Sequence, residues 1–134
     1  ITGLTRGTGK KHIVRATLES IAYQTKDVLD LMEKESGVSL TKLNVDGGAC
    51  ANNFLMQFQA DVINKTVVRP KHVESTVIGA ALLAGIGASI WEKEKLPEQL
   101  HKKDKLFYPQ TPKTEIDLLI SGWKEAVSKT LSTS

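Results

Sequence analysis

The stretch with the most chemical content is Asp46-Gly47-Gly48-Ala49-Cys50-Ala51-Asn52-Asn53. A short run, Lys42 to Val45, leads into it as a strand, and a helical pattern over about Ala51 to Ile63 leads out. Paired glycines between a strand and a helix mean a tight turn or a close approach of backbone to something else. The helix start adds unsatisfied N–H donors and partial positive charge, which suits a phosphate or another anion. Asn52, at the helix opening, can offer a side-chain amide to such a ligand. The same residues also make an ordinary strand–turn–helix in which Gly47 and Gly48 serve geometry alone. A glycine pair by itself does not separate the two readings.

The other reactive residue types read as structural. Thr5-Arg6-Gly7-Thr8-Gly9-Lys10-Lys11 is friendly to phosphate but lacks the G-x-x-x-x-G-K-[ST] spacing, so it reads as a surface loop. No G-x-G-x-x-G follows a strand. Cys50 sits where a helix start would lower a thiol's pKa, and the plainer reading packs it under the turn as a small residue. His12 begins a helix and reads as a structural hydrogen-bonding group. Trp91 and Trp123 stand at helical spacing with other apolar residues and read as core. Asp46 is the only carboxylate beside the glycine turn, and one carboxylate makes no acid–base pair. No catalytic residue is therefore assigned. One cysteine excludes an intrachain disulfide and a Cys-rich zinc site, and His12, His72 and His101 form no ligand spacing. No metal ligand is assigned either.

The elements that must hold the turn follow from periodicity. Residues 1–10 read as a strand end and loop. A long helix follows, on which Val14, Leu18, Ile21, Thr25, Val28 and Met32 recur in steps of four and three and mark one face. Gly37 stands where a left-handed C-terminal cap belongs. On the helix after the glycine turn, Leu55, Phe58 and Val62 mark the buried face. Asn64-Lys65 reads as a turn, and Thr66-Val67-Val68 as a second strand closed by Arg69-Pro70. Residues 76–91 are apolar or small nearly all round, which predicts a helix buried on several sides. Glu92 to Pro112 reads as a polar, proline-punctuated connection, with a short helix opening at Leu96-Pro97. A last helix over about Thr114 to Leu131 has Ile116, Leu119, Ile120, Trp123, Ala126 and Val127 on its core face.

This order is α/β, with crossovers that enforce parallel pairing. Two short strands make a poor sheet, and helices this apolar call for a wider one. The count predicts that further strands lie N-terminal to Ile1.

Composition sets the outer bounds. The 134 residues are 40% hydrophobic and 25% charged, which suits one folded domain. Eighteen Lys and Arg against fifteen Asp and Glu give a net charge of +3, with a pI near 9.0. The charges are interleaved, as in Glu92-Lys93-Glu94-Lys95, so the surface is locally neutral, and no nucleic-acid partner is expected. No run approaches the ~18 charge-free residues of a membrane span, and the first residues, Ile1-Thr2-Gly3-Leu4, do not read as a basic-then-apolar signal layout. A cytoplasmic setting is the expectation.

Longer motifs carry a resemblance. Gly3-Leu4, seven residues, then His12-Ile13-x-x-Ala16-Thr17-Leu18-Glu19 resembles a signature of the carbohydrate kinases that phosphorylate glycerol, xylulose, gluconate and fucose analogues. Leu4 to Thr8, Ile21 to Leu29, Val45 to Ala49, Asn52 to Asp61, Val68-Arg69-Pro70 and Gly79-Ala80-Ala81 are similar to the glycerol-phosphorylating members in particular. The likeness runs from Ile1 to about Trp91 and resumes at Phe107 to Gln110 and at Trp123 to Val127.

The resemblance implies a partial actin-like, ribonuclease H-like sugar-kinase ATPase domain, helix-rich with a short, mostly parallel sheet remnant. Residues 1–134 would be the C-terminal nucleotide-binding part of such an enzyme. The N-terminal domain and the first strands of this domain would lie outside them. It implies ATP and glycerol as partners in the full-length enzyme, with Mg²⁺. It places nucleotide contacts on Gly48 and Asn52, with Gly47 and Ala49 in the same turn, and packs the Gly79 helix behind that turn. The catalytic base and the glycerol-binding residues would lie elsewhere, so this segment alone is expected to be inactive. A non-catalytic module is the alternative, pairing into a homo-oligomer through the Lys42–Val45 strand edge.

Overall fold

A computed structural model of the chain describes residues 1–71, 75–92 and 103–131. Helix α1 spans Lys10–Ser36. It starts with a capping box in which the Gly9 N–H donates to His12 Nδ1 at 3.1 Å, so His12 is a structural hydrogen-bonding group. It ends at Gly37, whose φ of 68° and ψ of 6° give the left-handed cap expected there. The loop ahead of it closes on itself, with the Thr5 N–H donating to Thr8 Oγ1 at 2.9 Å.

Among the described residues the sheet has three strands in the order β1 (Lys42–Asn44), β2 (Thr66–Pro70), β3 (Lys103–Phe107). β1 pairs parallel to β2, with Leu43 against Val67. β2 pairs antiparallel to β3, with Val67 against Phe107 and Arg69 against Lys105. The sheet is therefore mixed. The third strand lies within the stretch whose charge and prolines read as a connection. Among the described residues KDKLF is an edge strand, where lysines are common, so its composition conceals it. The short helix expected at Leu96-Pro97 falls outside the described residues.

Helix α2 (Asn53–Ile63) is the central element. Leu55, Phe58 and Val62 are buried as expected, together with Met56, Gln59, Ala60, Asp61 and Ile63. It packs on α1, on the sheet and on α4 (Lys113–Ser128). Tyr23 of α1 joins these layers. Its ring meets Phe58 edge-on at 5.4 Å and stacks on Trp123 of α4, also at 5.4 Å. Trp123 Nε1 donates to Asp27 Oδ2 at 2.8 Å, which satisfies the indole where α4 meets α1. Trp123 is thus core-packed, as expected. The α2 cap Asn64 is left-handed, with φ 53°, and closes the turn into β2.

Two expectations about buried faces are overturned. On α1 the packed residues are Ala22, Tyr23 and Leu29, whereas Val14, Ile21, Val28 and Met32 are 42–57% exposed. The covered face is offset from the marked stripe by one residue, about 100° around the axis. Periodicity locates an apolar stripe but does not say which of two adjacent stripes finds a partner. Helix α3 (Ser75–Gly87) was expected to be buried on several sides, yet Val77 and Leu83 are 64% and 72% exposed. No described element covers it. Trp91 folds back onto Gly85 of α3 instead of entering the core: a Cβ there would run into the Trp91 ring.

Candidate functional site

The paired glycines lie at the end of β1. The Val45 N–H donates to Val68 O at 3.1 Å, so the strand pairing carries the chain up to Asp46. Gly47 then takes φ 81° and ψ 168°, a region essentially closed to side-chain-bearing residues. Gly48–Ala51 form a single 3₁₀ turn, closed by Cys50 N–H to Gly47 O and Asn52 N–H to Ala49 O, both at 3.1 Å. Asn52 caps α2 by accepting the Leu55 N–H on Oδ1 at 3.1 Å. Cys50 is 1% exposed and free of any disulfide, packed beneath the turn as the plainer reading had it.

The outer side of this turn is open. A Cβ built at Gly47 or at Gly48 would meet no other heavy atom within 4 Å, chain neighbours aside. Gly48 is exposed, as are Ala49, Ala51 and Asn52. Gly47 needs glycine for its φ, but Gly48 does not, because its φ is not positive. The bare Cα of Gly48 thus has no explanation in the local backbone and leaves room for a group lying flat against the chain. The four residues singled out, Gly47, Gly48, Ala49 and Asn52, are brought together on one exposed bend. Gly79 is not brought against them: a Cβ built there would meet no heavy atom within 4 Å beyond its own helix backbone. Asp46 is exposed and has no second carboxylate beside it in the turn.

One residue that carries this geometry, Arg69 of the quoted Val68-Arg69-Pro70 motif, is given no role by the motif reading. Arg69, at the end of β2, reaches across to the turn. Its Nη1 donates to Cys50 O at 3.1 Å, to Ala51 O at 3.4 Å and to Asn53 Oδ1 at 2.9 Å. Its guanidinium lies over the Phe107 ring, 5.4 Å from the centroid. The available signal was a lone cation closing an apolar strand just before Pro70.

Other features lie apart from this bend. A groove of about 480 Å³ between α1 and α4 is lined mainly by apolar groups, among them Tyr23, Leu119 and Trp123. Burial, with the Glu19 carboxylate next in weight, pushes the Tyr23 phenol up to about 12. Among the described residues no group of three or more His, Cys, Asp or Glu side chains could hold a metal ion. No helix there is long and apolar enough to cross a membrane.

Comparison with known proteins gives this geometry a context. Residues 1–88 match the FGGY family of carbohydrate kinases, C-terminal domain. The chain is 55% identical over 130 residues to a glycerol kinase of Fusobacterium nucleatum, covering 97% of this chain and 26% of that protein. It is 53% identical to a glycerol kinase of Symbiobacterium thermophilum, covering 96% of this chain and again 26% of the relative. It therefore spans about a quarter of the length of the curated relatives it matches. Among solved structures, the glycerol kinase of Plasmodium falciparum with ADP superposes with a TM-score of 0.82 at 35% identity, over 99% of this chain and 27% of that one. A xylulose kinase of Lactobacillus acidophilus superposes with a TM-score of 0.68 at 24% identity, over 96% of this chain and 27% of that one, which speaks to fold alone.

Proposed function

The chain belongs to the FGGY family of carbohydrate kinases, and from that membership we propose that it supplies one wall of the ATP/ADP site of a glycerol kinase. Residues 1–134 act as the C-terminal nucleotide-binding part, and the remainder of the enzyme supplies the opposite wall. The observation that carries the reading is the bare, outward-facing Cα of Gly48 at the end of β1, which the local backbone does not require. The solved relative with ADP supports it.

Each residue of the bend has a part in that reading. Gly47 turns the chain out of the strand. Gly48 lets the flat part of the nucleotide lie against the backbone, and Ala49 keeps the same surface low. Asn52 offers polar contact at the start of α2 while its Oδ1 caps the helix. The complete enzyme moves the γ-phosphoryl group of ATP to a glycerol hydroxyl. A new O–P bond forms, the bond to the bridging β–γ oxygen breaks, and the hydroxyl proton passes to a base outside this chain. Glycerol 3-phosphate and ADP leave. Such a reaction is driven by positioning and by charge stabilisation around the transferred group. Mg²⁺, which neutralises phosphate charge in such reactions, is assigned no ligand in this segment. The compartment implied is the cytoplasm.

The test is titration of ADP into the isotope-labelled chain. Amide shifts clustered on Gly47–Asn53 with an affinity no better than about millimolar, and no glycerol turnover, are expected, since half a site cannot position both substrates. Shifts centred on the α1–α4 groove instead would remove the assignment.

One observation favours a second reading. Among the described residues the outer edge of β1 is unpaired, and such an edge can add a strand from another copy. Light scattering of a chain whose exposed α1 stripe is made polar (Val28→Lys with Met32→Glu) separates the two: a monomer at high concentration argues against a self-pairing module.

A further inference from the structure

We propose that Arg69 is a positioning residue for the nucleotide, setting the bend that Gly48 presents; this rests on the functional reading above. Arg69 stands on β2, the central strand, and Pro70 follows it where the β2–β3 register shifts. A register irregularity of this kind re-aims a side chain out of the regular alternation. The guanidinium spans from the sheet to the far end of the 3₁₀ turn and to the first residue of α2. It holds the Cys50 and Ala51 carbonyls and the Asn53 amide oxygen with one nitrogen. Phe107, from β3, gives it a ring to lie on. These contacts tie together the three segments whose relative placement decides where Gly48 and Asn52 stand. The outer side of the turn is open and its glycines have no side chains to pack, so Arg69 adds a side-chain tie to the turn's own backbone hydrogen bonds, the buried Cys50 and the Asn52 cap.

A residue acting this way shifts nucleotide recognition and leaves the alcohol substrate alone. A methionine at this position keeps the length and the contact with Phe107 but loses the hydrogen bonds. A lysine keeps the charge but lacks the guanidinium fork. The experiment is steady-state kinetics and ADP binding on the complete enzyme, comparing wild type with Arg69→Met, Arg69→Lys and Asn53→Ala. Arg69→Met is expected to raise KM for ATP and Kd for ADP about tenfold, with KM for glycerol within about twofold of wild type. Arg69→Lys should fall between the two. A fall in kcat alone, or an equal rise in both KM values, overturns the proposal, because a merely structural residue gives that result. If Arg69→Met does not fold, Asn53→Ala carries the test, since it removes the 2.9 Å contact and keeps the arginine. Its KM for ATP should rise about threefold, and an unmoved value overturns the proposal. Wild-type enzyme that binds no ADP overturns the functional reading and this inference with it, whereas wild-type binding with unmoved variants overturns the role of Arg69 alone.

Discussion

At the scale of single residues, the two glycines of the bend separate by what constrains them. Gly47 sits at φ 81°. Gly47→Ala should lower stability by about 1–3 kcal/mol, read from chemical denaturation, because L side chains rarely adopt that backbone. Gly48 carries no such constraint and has open space before it. Gly48→Ala should therefore leave the melting temperature unmoved while weakening nucleotide binding about tenfold or more in the complete enzyme. Equal behaviour of the two variants would mean that both glycines serve the fold alone. Tyr23 gives a pH signature of its own. Its phenol is held neutral up to about 12, chiefly by burial between Phe58 and Trp123, so its folded pKa lies above the ordinary value of 10.0. A raised pKa contributes stability that is present below 10 and lost as pH climbs towards 12. The melting temperature should drop across that window, and Tyr23→Phe should flatten the drop.

Among the elements, α2 binds the molecule together, and a buried carboxylate on it holds the chain leading into α4. Asp61 Oδ1 accepts from Gln57 Nε2 at 3.1 Å and from the Gln110 N–H at 2.7 Å, and Oδ2 accepts from Thr111 Oγ1 at 3.0 Å. Asp61→Ala should cost about 3 kcal/mol in urea unfolding, since it removes charge-assisted bonds and strands their donors. Gln57 is the i,i+4 neighbour of Asp61 on α2, a local pair, but Gln110 and Thr111 lie 49 and 50 residues away, so no local pattern announces their contacts. Glu33 plays a smaller part at the other end of α1. The Leu40 N–H, then Lys65, holds its carboxyl below the usual range. That contribution is present at neutral pH and is lost as pH falls through the lowered pKa.

For the whole molecule, the exposed apolar residues of α1 and α3 dominate. Val14, Val28, Leu31 and Met32 on α1, with Val77 and Leu83 on α3, are each at least half exposed. Exposed apolar surface of this kind promotes association. The chain on its own should self-associate as its concentration rises, and Val28→Lys with Met32→Glu should suppress this without lowering the melting temperature. Loss of folding in that double variant would mean the stripe is covered within the chain after all. A net charge of +3 spread through mixed acids and bases adds little to either behaviour.

Much of this was legible from local pattern. The Gly37 cap, the Asn64 turn, the buried face of α2 and the glycine bend with Asn52 at its edge are all set by residue type and spacing over a few positions, where backbone preference and side-chain period act directly. Tertiary structure alone decided three things. It chose the Ala22–Tyr23–Leu29 side of α1 over the neighbouring stripe, because a helix buries the side that meets a partner. It recruited the Lys-rich Lys103–Phe107 segment as a strand beside β2. And it sent Arg69 across to the glycine bend, a contact spanning 16 to 19 residues that exists only once the sheet has brought both ends together.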